Sequence, residues 1–271
     1  MNICLLTESS PKPVLAAVLD RLSRRHNVVT CDPRTGTLPV FPGPRQEGQD
    51  ADVYLLKSRS PEARALAHGA QLAGALVVNT PQATSAALDR WTMATRLDQA
   101  GVPAPRTWSF PTLQALADDE THPSLPWPLV IKSRTSARGD LVQLVRSRDD
   151  LRALMPQWGD VPVIAQEFTP NDGFDIKVWV IGGELSAARR RSALDSSDKS
   201  SDVPIEPGEL PEEWADAALR SGEALGLDLF GVDLLISDGR PVVIDVNAFP
   251  GFQGARHPEE SMLRFIERRA A

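Results

Sequence analysis

Apolar and polar positions change their rhythm along the chain. In the first third, Ile3–Thr7, Val28–Cys31, Val53–Leu56 and Leu76–Asn79 are short apolar runs of strand length. Between them lie Val14–Arg25, with Leu15, Val18, Leu19 and Leu22 on one stripe, and Pro61–Leu72, both spaced as helices. Strand and helix in alternation predict a parallel sheet with helices on its faces. A helix is predicted from Thr84 to Ala100, stopped by Gly101-Val102-Pro103-Ala104-Pro105, which reads as a hinge. Beyond it come strands at Leu129–Lys132, Leu141–Val145 and Val161–Glu167, with a helix from Asp149. The last third reads as an antiparallel sheet with helices: Asp175–Ile181, a Gly182-Gly183 turn, Glu184–Arg191, helix Glu212–Leu225, strands Phe230–Ile236 and Val242–Asn247, and helix Pro258–Arg268. The Ser- and Asp-rich stretch Ser192–Gly208 is the best candidate for a mobile segment. The fold class expected is α/β and α+β, with an open parallel α/β domain over 1–83 and two further lobes over 84–165 and 166–271.

The hairpin around Asp238-Gly239 carries the strongest chemical signal. Each of its strands holds an acid among apolar residues, Asp233 in one and Asp245 in the other, and a buried carboxylate needs a partner or a metal. A two-residue Asp238-Gly239 loop pairs Asp233 with Ile244 and puts Asp245 on the opposite face. A three-residue loop Ser237-Asp238-Gly239 puts Asp233, Asp245 and Asn247 on one face, because side chains alternate with period two. Three hard oxygen ligands on one face suit Mg²⁺, so the three-residue register is predicted. The Ala248-Phe249-Pro250-Gly251-Phe252 segment that follows stops the strand and brings backbone close to a ligand. The two-residue Gly182-Gly183 turn pairs Lys177 with Ala188 and Asp175 with Arg190, and it sends Arg189 and Arg191 to the other face.

Composition removes several classes. The net charge is −7 over 271 residues, with 42% hydrophobic residues, which argues against a dedicated nucleic-acid or membrane-surface binder and against general disorder. Two cysteines and four scattered histidines give neither a disulfide framework nor a zinc motif. The opening Met1–Glu8 lacks a basic n-region and no stretch approaches a membrane span, so a cytoplasmic location is expected.

Taken in order, Val130-Ile131-Lys132, Gln166-Glu167-Phe168, Asp175-Ile176-Lys177-Val178-Trp179-Val180-Ile181-Gly182, Arg189-Arg190-Arg191, Gly231-Val232-Asp233 and Asp245-Val246-Asn247-Ala248-Phe249-Pro250-Gly251 resemble the ATP-grasp superfamily. Within it the chain resembles RimK-type ligases and also the inositol trisphosphate 5/6-kinases, from about residue 85 onward. The resemblance implies an ATP site between two lobes. In it Lys132 reaches the phosphates, and Gln166, Glu167 and Phe168 line the adenine largely through backbone groups. Asp175 lies near the ribose, while Asp233, Asp245 and Asn247 hold Mg²⁺, with Mn²⁺ as an alternative. A lysine in an apolar strand is unusual enough to support the role given to Lys132.

Three departures stand out. Arg90 is the nearest cation to the place of a missing phosphate lysine. The loop Ser133–Gly139 has one glycine, and Asp195-Ser196-Ser197-Asp198-Lys199-Ser200 replaces a ligase motif, leaving Lys199 at the place of a nucleotide-side arginine. The implied reaction is carboxylate–amine ligation through an acyl phosphate, assisted by Lys132, Arg190 and Lys199. Its substrates are small-molecule or peptide carboxylates and amines, with no nucleic acid and no membrane, and the chain is compatible with a homodimer. Phosphoryl transfer to a hydroxyl is the rival reading, supported by Lys57-Ser58-Arg59 after the third strand. A nucleotide-binding scaffold with little turnover is the third. Arg256 and His257 are further candidates to face an acceptor.

Overall fold

The computed structural model describes residues 1–34, 51–119, 125–137, 139–192 and 202–270. Lys199 and most of the Ser192–Gly208 stretch lie outside these residues, as do residue 138 and most of the loop from Asp32 to Gly48.

Three sheets organise the chain. The first holds β1 (Asn2–Leu6), β2 (Asn27–Cys31), β3 (Val53–Leu56) and β4 (Leu76–Val78), all parallel in the order β2-β1-β3-β4. Because side chains alternate, Cys4, Leu6, Tyr54 and Leu56 meet α2 (Pro61–Leu72) on one face. Ile3, Leu5, Val53 and Leu55 meet α1 (Pro13–Ser23) on the other. The helix predicted from Thr84 is in fact two, α3 (Pro81–Leu88) and α4 (Arg90–Gln99). The break falls at Asp89, which is extended (φ −90°, ψ 103°) and caps α4 through the Thr92 amide at 2.7 Å. Its other carboxylate oxygen takes the Arg134 Nε at 2.8 Å. An aspartate that caps so well competes with helix continuation, and the cap wins here.

The second sheet is antiparallel in the order β5-β8-β6-β7, with β5 (Thr107–Phe110), β6 (Leu129–Ser133), β7 (Val142–Val145) and β8 (Val163–Glu167). Helices α5 (Leu113–Ala117) and α6 (Arg148–Trp158) cover one face through Leu113, Leu116 and Leu151. Neither β5 nor α5 is visible in the sequence pattern.

The third sheet, order β11-β10-β9-β12-β13, is antiparallel throughout: β9 (Phe174–Ile181), β10 (Glu184–Arg191), β11 (Val203–Ile205), β12 (Leu229–Ser237) and β13 (Arg240–Ala248). On one face Ile176, Val178, Val180 and Val232 pack against α3, α4 and α7 (Glu212–Leu225). A Cβ on Gly222 of α7 would lie 2.1 Å from the Phe230 ring, so helix and strand touch here only because the residue has no side chain. On the opposite face Trp179, Ile181, Leu229 and Phe249 pack against α8 (Pro258–Ala270), α1 and the first sheet. That face is apolar at one end and charged at the other, and the charged end looks toward the second sheet.

The hairpin register departs from prediction and still reaches the predicted result. Ser237 pairs with Arg240, so the loop is the two-residue one. Asp238 and Gly239 both have positive φ (50° and 77°), the signature of a type I′ turn. The pairing then shifts between Asp233 and Leu234, which leaves Ile244 as an extra residue and sets Asp233 directly opposite Asp245. The bulge moves the acids onto one face, which the turn alone would have prevented.

Candidate functional site

A cleft opens between the second and third sheets. Its walls include Val130, Val142, Phe168, Leu235 and Ile244, and its charged lining is Arg90, Lys132, Glu167, Asp175, Arg190, Asp233 and Asp245. The larger cavity of about 480 Å³ lies elsewhere, against β10, β11 and Gly254–Arg256, where the Arg256–Glu206 ion pair is exposed.

Lys132 joins the two sheets. It sits on β6 with 7% of its surface exposed. Its Nζ donates to Gln166 Oε1 at 2.7 Å on the neighbouring strand β8 and to the Ile244 carbonyl at 3.0 Å on β13. The bulge that aligns the acids thus also supplies a carbonyl to the lysine. Burial lowers the Lys132 pKa to about 8, against the opposing pull of Asp245. Both ends of the Gln166 amide are occupied: its Nε2 donates to Thr107 Oγ1 at 3.2 Å while its Oε1 accepts from Lys132. Its side chain therefore holds the lysine and is not free to read a base. The Glu167 amide donates to the Arg106 carbonyl at 2.9 Å and the Phe168 amide to that of Pro128 at 3.3 Å.

On the third sheet the strand pairings place Asp175 beside Arg190, and Lys177 beside Asp233, which in turn lies beside Asp245. Asp233 Oδ1 accepts from Lys177 Nζ at 2.8 Å and from Arg190 Nη2 at 2.6 Å. Burial pushes the Asp233 carboxyl up, but Lys177 and Arg190 outweigh it and hold it below the usual carboxylate range. Asn247 Nδ2 donates to Asp245 Oδ2 at 2.8 Å, so these two share a face as expected. Arg90, at the start of α4, is buried against Asp140 at 2.6 Å and the Ser133 carbonyl at 2.8 Å. Its Nε is buried and has no hydrogen-bond partner among the described residues. Arg189 and Arg191 do take the opposite face, where both guanidiniums lie over the Phe174 ring at 3.7 and 5.8 Å.

Lys177 is the residue that sequence reasoning passed over. The signal was the one that singled out Lys132, a lysine inside an apolar strand. Its partner was hidden because β9 and β12 are far apart in sequence, so no turn fixes their register. Among the described residues no three His, Cys, Asp or Glu side chains form a ready cation cage. The oxygen donors that do gather are two carboxylates and an amide, with Asp233 Oδ1 already filled by two cations.

Two antiparallel sheets gripping a charged cleft, behind an open parallel domain, are the ATP-grasp fold. The RimK-like ATP-grasp domain matches residues 87–260, and the chain belongs to that family. It is 31% identical over 217 residues to N-acetylaspartylglutamate synthase A of Homo sapiens, an alignment covering 74% of this chain and 54% of that one. It is 30% identical over 190 residues to a probable alpha-L-glutamate ligase of Thioalkalivibrio sulfidiphilus, covering 68% and 63%. The chain thus spans 54% and 63% of the lengths of these two relatives. Among solved structures, D-alanine–D-alanine ligase from Bacillus anthracis complexed with ATP superposes with a TM-score of 0.73 at 20% identity, over 100% of this chain and 97% of that one. Among the described residues no helix is long and apolar enough to cross a membrane.

Proposed function

We propose that this protein is a Mg-ATP-dependent carboxylate–amine ligase that works through an acyl phosphate. The observation that carries the reading is Lys132, held 3.0 Å from the Ile244 carbonyl and facing the Asp233–Asp245 pair across the cleft. The relatives are named as an N-acetylaspartylglutamate synthase and a probable alpha-L-glutamate ligase, which favours ligation over transfer to a hydroxyl.

In this reading a carboxylate oxygen of the acyl substrate attacks the γ-phosphorus of ATP, and the bond to the β-phosphate oxygen breaks, releasing ADP. A neutral amine then attacks the acyl carbon, the phosphate leaves with its bonding pair, and the nitrogen loses a proton to solvent. Neither step needs a protein nucleophile, so catalysis is positioning and charge stabilisation. Lys132 presents an ammonium to the phosphates with two of its three donors already fixed, so it costs little reorganisation. The orphaned Nε of Arg90 fits an anionic oxygen, and Arg190 stands beside Asp175 on the same wall. Gln166 positions Lys132, while Glu167 and Phe168 form the adenine end. The oxygens of Asp245 and Asn247 fit Mg²⁺, with Asp233 offering Oδ2. When bound, the metal neutralises charge on the transferred phosphoryl. Lys199 is kept as a candidate cation for the nucleotide.

ADP release tests this directly, with Mg-ATP and pools of carboxylates and amines, followed by mass spectrometry of the products. Ligation requires both pools and yields free phosphate with an amide. Phosphate retained on a polyol product would convert the assignment to a kinase, and release independent of both pools would end it.

A further inference from the structure

We propose that Asn79 is a positioning residue for the metal-binding strand: it secures the far end of the β12–β13 ladder and so holds Asp245 and Asn247 in register. The proposal rests on the ligase reading for what those two residues do, and on hydrogen bonding for how they are held. Asn79 follows β4 in the first sheet and lies outside the cleft lining. It is a polar side chain with 1% of its surface exposed, and such burial needs partners. The partners are backbone groups at the start of β12, 150 residues away in the case of Leu229. Asn79 Oδ1 accepts from the Asp228 and Leu229 amides, each at 2.9 Å, and its Nδ2 donates to the Leu229 carbonyl at 2.7 Å. Both lone pairs of the side-chain oxygen are thereby used.

Those groups sit at a junction. Helix α7 ends in a left-handed Gly226 and β12 starts at Leu229, so Asp228 and Leu229 carry the chain from helix into strand. The Asp228 carbonyl accepts from the Gly182 amide at 2.9 Å, which ties the β9–β10 turn to the same point. The Leu229 carbonyl takes a second donor, the Phe249 amide at 2.7 Å, directly after the end of β13. Phe249 has positive φ (43°), a conformation that a residue with a bulky side chain keeps only when its surroundings hold it. One carbonyl oxygen thus joins Asn79 to the residue that ends the metal-binding strand.

The bulge makes this link matter. β12 keeps an unbroken register with β9 from Leu229 to Leu234, whereas its register with β13 shifts between Asp233 and Leu234. β13 is also the end strand of its sheet. Between the bulge and the Leu229–Phe249 bond lie four pairs: Phe230–Ala248, Gly231–Asn247, Val232–Val246 and Asp233–Asp245. So short a ladder, with an extra residue at one end, can pass that residue along. A slide of one position turns Asp245 and Asn247 to the opposite face. The bond at Phe249 stops the slide, and Asn79 keeps Leu229 in place by holding both its N–H and its C=O. The first sheet therefore fixes, from behind, a cation-binding edge that belongs to the third.

The test compares Asn79→Ala with Leu66→Ala, a cavity variant in the core between the first sheet and α2. Calorimetry measures AMPPNP binding by the full chain with Mg²⁺ and with EDTA. In Asn79→Ala the tightening conferred by Mg²⁺ should fall about tenfold or more, as for other residues that orient metal ligands, while affinity in EDTA stays within about threefold of the parent. Leu66→Ala should keep the whole Mg²⁺ effect. Hydrogen exchange read by mass spectrometry needs no nucleotide: Asp245–Phe249 should exchange about tenfold or more faster in Asn79→Ala, with Val178–Ile181 unchanged. An unchanged Mg²⁺ effect, the same loss in Leu66→Ala, or a uniform rise in exchange makes Asn79 a general stabiliser and overturns the proposal. Asn79→Asp keeps the acceptor for both amides and loses the donor, and it serves where Asn79→Ala does not fold. The parent alone supplies a further check, since a Phe249 amide that exchanges much faster than that of Val178 overturns the proposal without any variant. A parent that binds AMPPNP no more tightly with Mg²⁺ removes the ligase reading, and the exchange rates still decide whether Asn79 holds the register.

Discussion

Replacing Lys132 by Met removes the ammonium and keeps nearly the same volume in the strand. Two opposing effects on stability follow. The fall of the lysine pKa from 10.5 to about 8 means that folding holds the charged form at a cost of about 3 kcal/mol, which the substitution relieves. Against this, Gln166 Oε1 and the Ile244 carbonyl lose their donor, at about 1–3 kcal/mol each. These nearly offset one another, so urea unfolding should place Lys132→Met within about 2 kcal/mol of the parent. Nucleotide handling has no such compensation. Loss of a charge-assisted contact to a phosphate should weaken Mg·AMPPNP binding about tenfold or more. Loss of one pre-organised donor at the developing charge should lower kcat by about 10²–10³. Calorimetry and ADP release are the two assays. Lys132→Arg should not rescue, because a planar fork cannot take the place of a compact ammonium between two fixed acceptors. A folded Lys132→Met protein with unchanged nucleotide affinity and turnover would refute the reasoning.

Two further outcomes are expected. Asp233→Asn leaves Lys177 and Arg190 buried or half-buried without their counter-charge and should lose about 3–5 kcal/mol in urea unfolding. The double variant Lys177→Met, Asp233→Asn should recover part of that loss, and strictly additive losses would show that the pair is not coupled. The second outcome concerns pH. Lys57 and Lys132 both have pKa values lowered to about 8, chiefly by burial; for Lys57 the neighbouring Arg59 and Lys12 add to the effect and Glu8 opposes it. Above pH 8 the unfolded chain therefore holds protons that the folded one has released, and stability should rise from pH 8 to 9. Above 9 the buried Cys4 thiol, pushed up to about 12 by burial and then by Cys31, works in the opposite direction. Urea midpoints at pH 7.5, 8.5 and 9 check the rise, which should be smaller in Lys132→Met.

How much of this was legible depended on whether an interaction was local. Val53–Leu56, Pro61–Leu72, Glu184–Arg191 and Glu212–Leu225 were readable to the residue because period and punctuation agreed there. The Gly182-Gly183 turn fixed its own register, so the Asp175–Arg190 pairing could be counted out from the turn. Two kinds of feature stayed hidden. Asp89 looked helical because apolar spacing continues across it, and although its capping bond to the Thr92 amide is local, its link to Arg134 depends on a loop 45 residues away. The Lys177–Asp233 contact depends on β9 lying beside β12, and nothing between those strands counts out their register.

The hairpin shows the remaining difficulty. Two rules applied and pointed in opposite directions. Asp238-Gly239 asks for a type I′ turn, and the two acids ask for a common face. Choosing the longer loop satisfied the second rule by giving up the first. The protein satisfies both by inserting Ile244 as an extra residue, at the place where its carbonyl meets Lys132 from the other sheet. A bulge leaves a backbone carbonyl outside the strand ladder, and that carbonyl has to find a donor elsewhere. The irregularity in one sheet and the buried lysine in the other therefore complete each other. Neither can be read from its own segment, because the partner that makes each favourable lies 112 residues away.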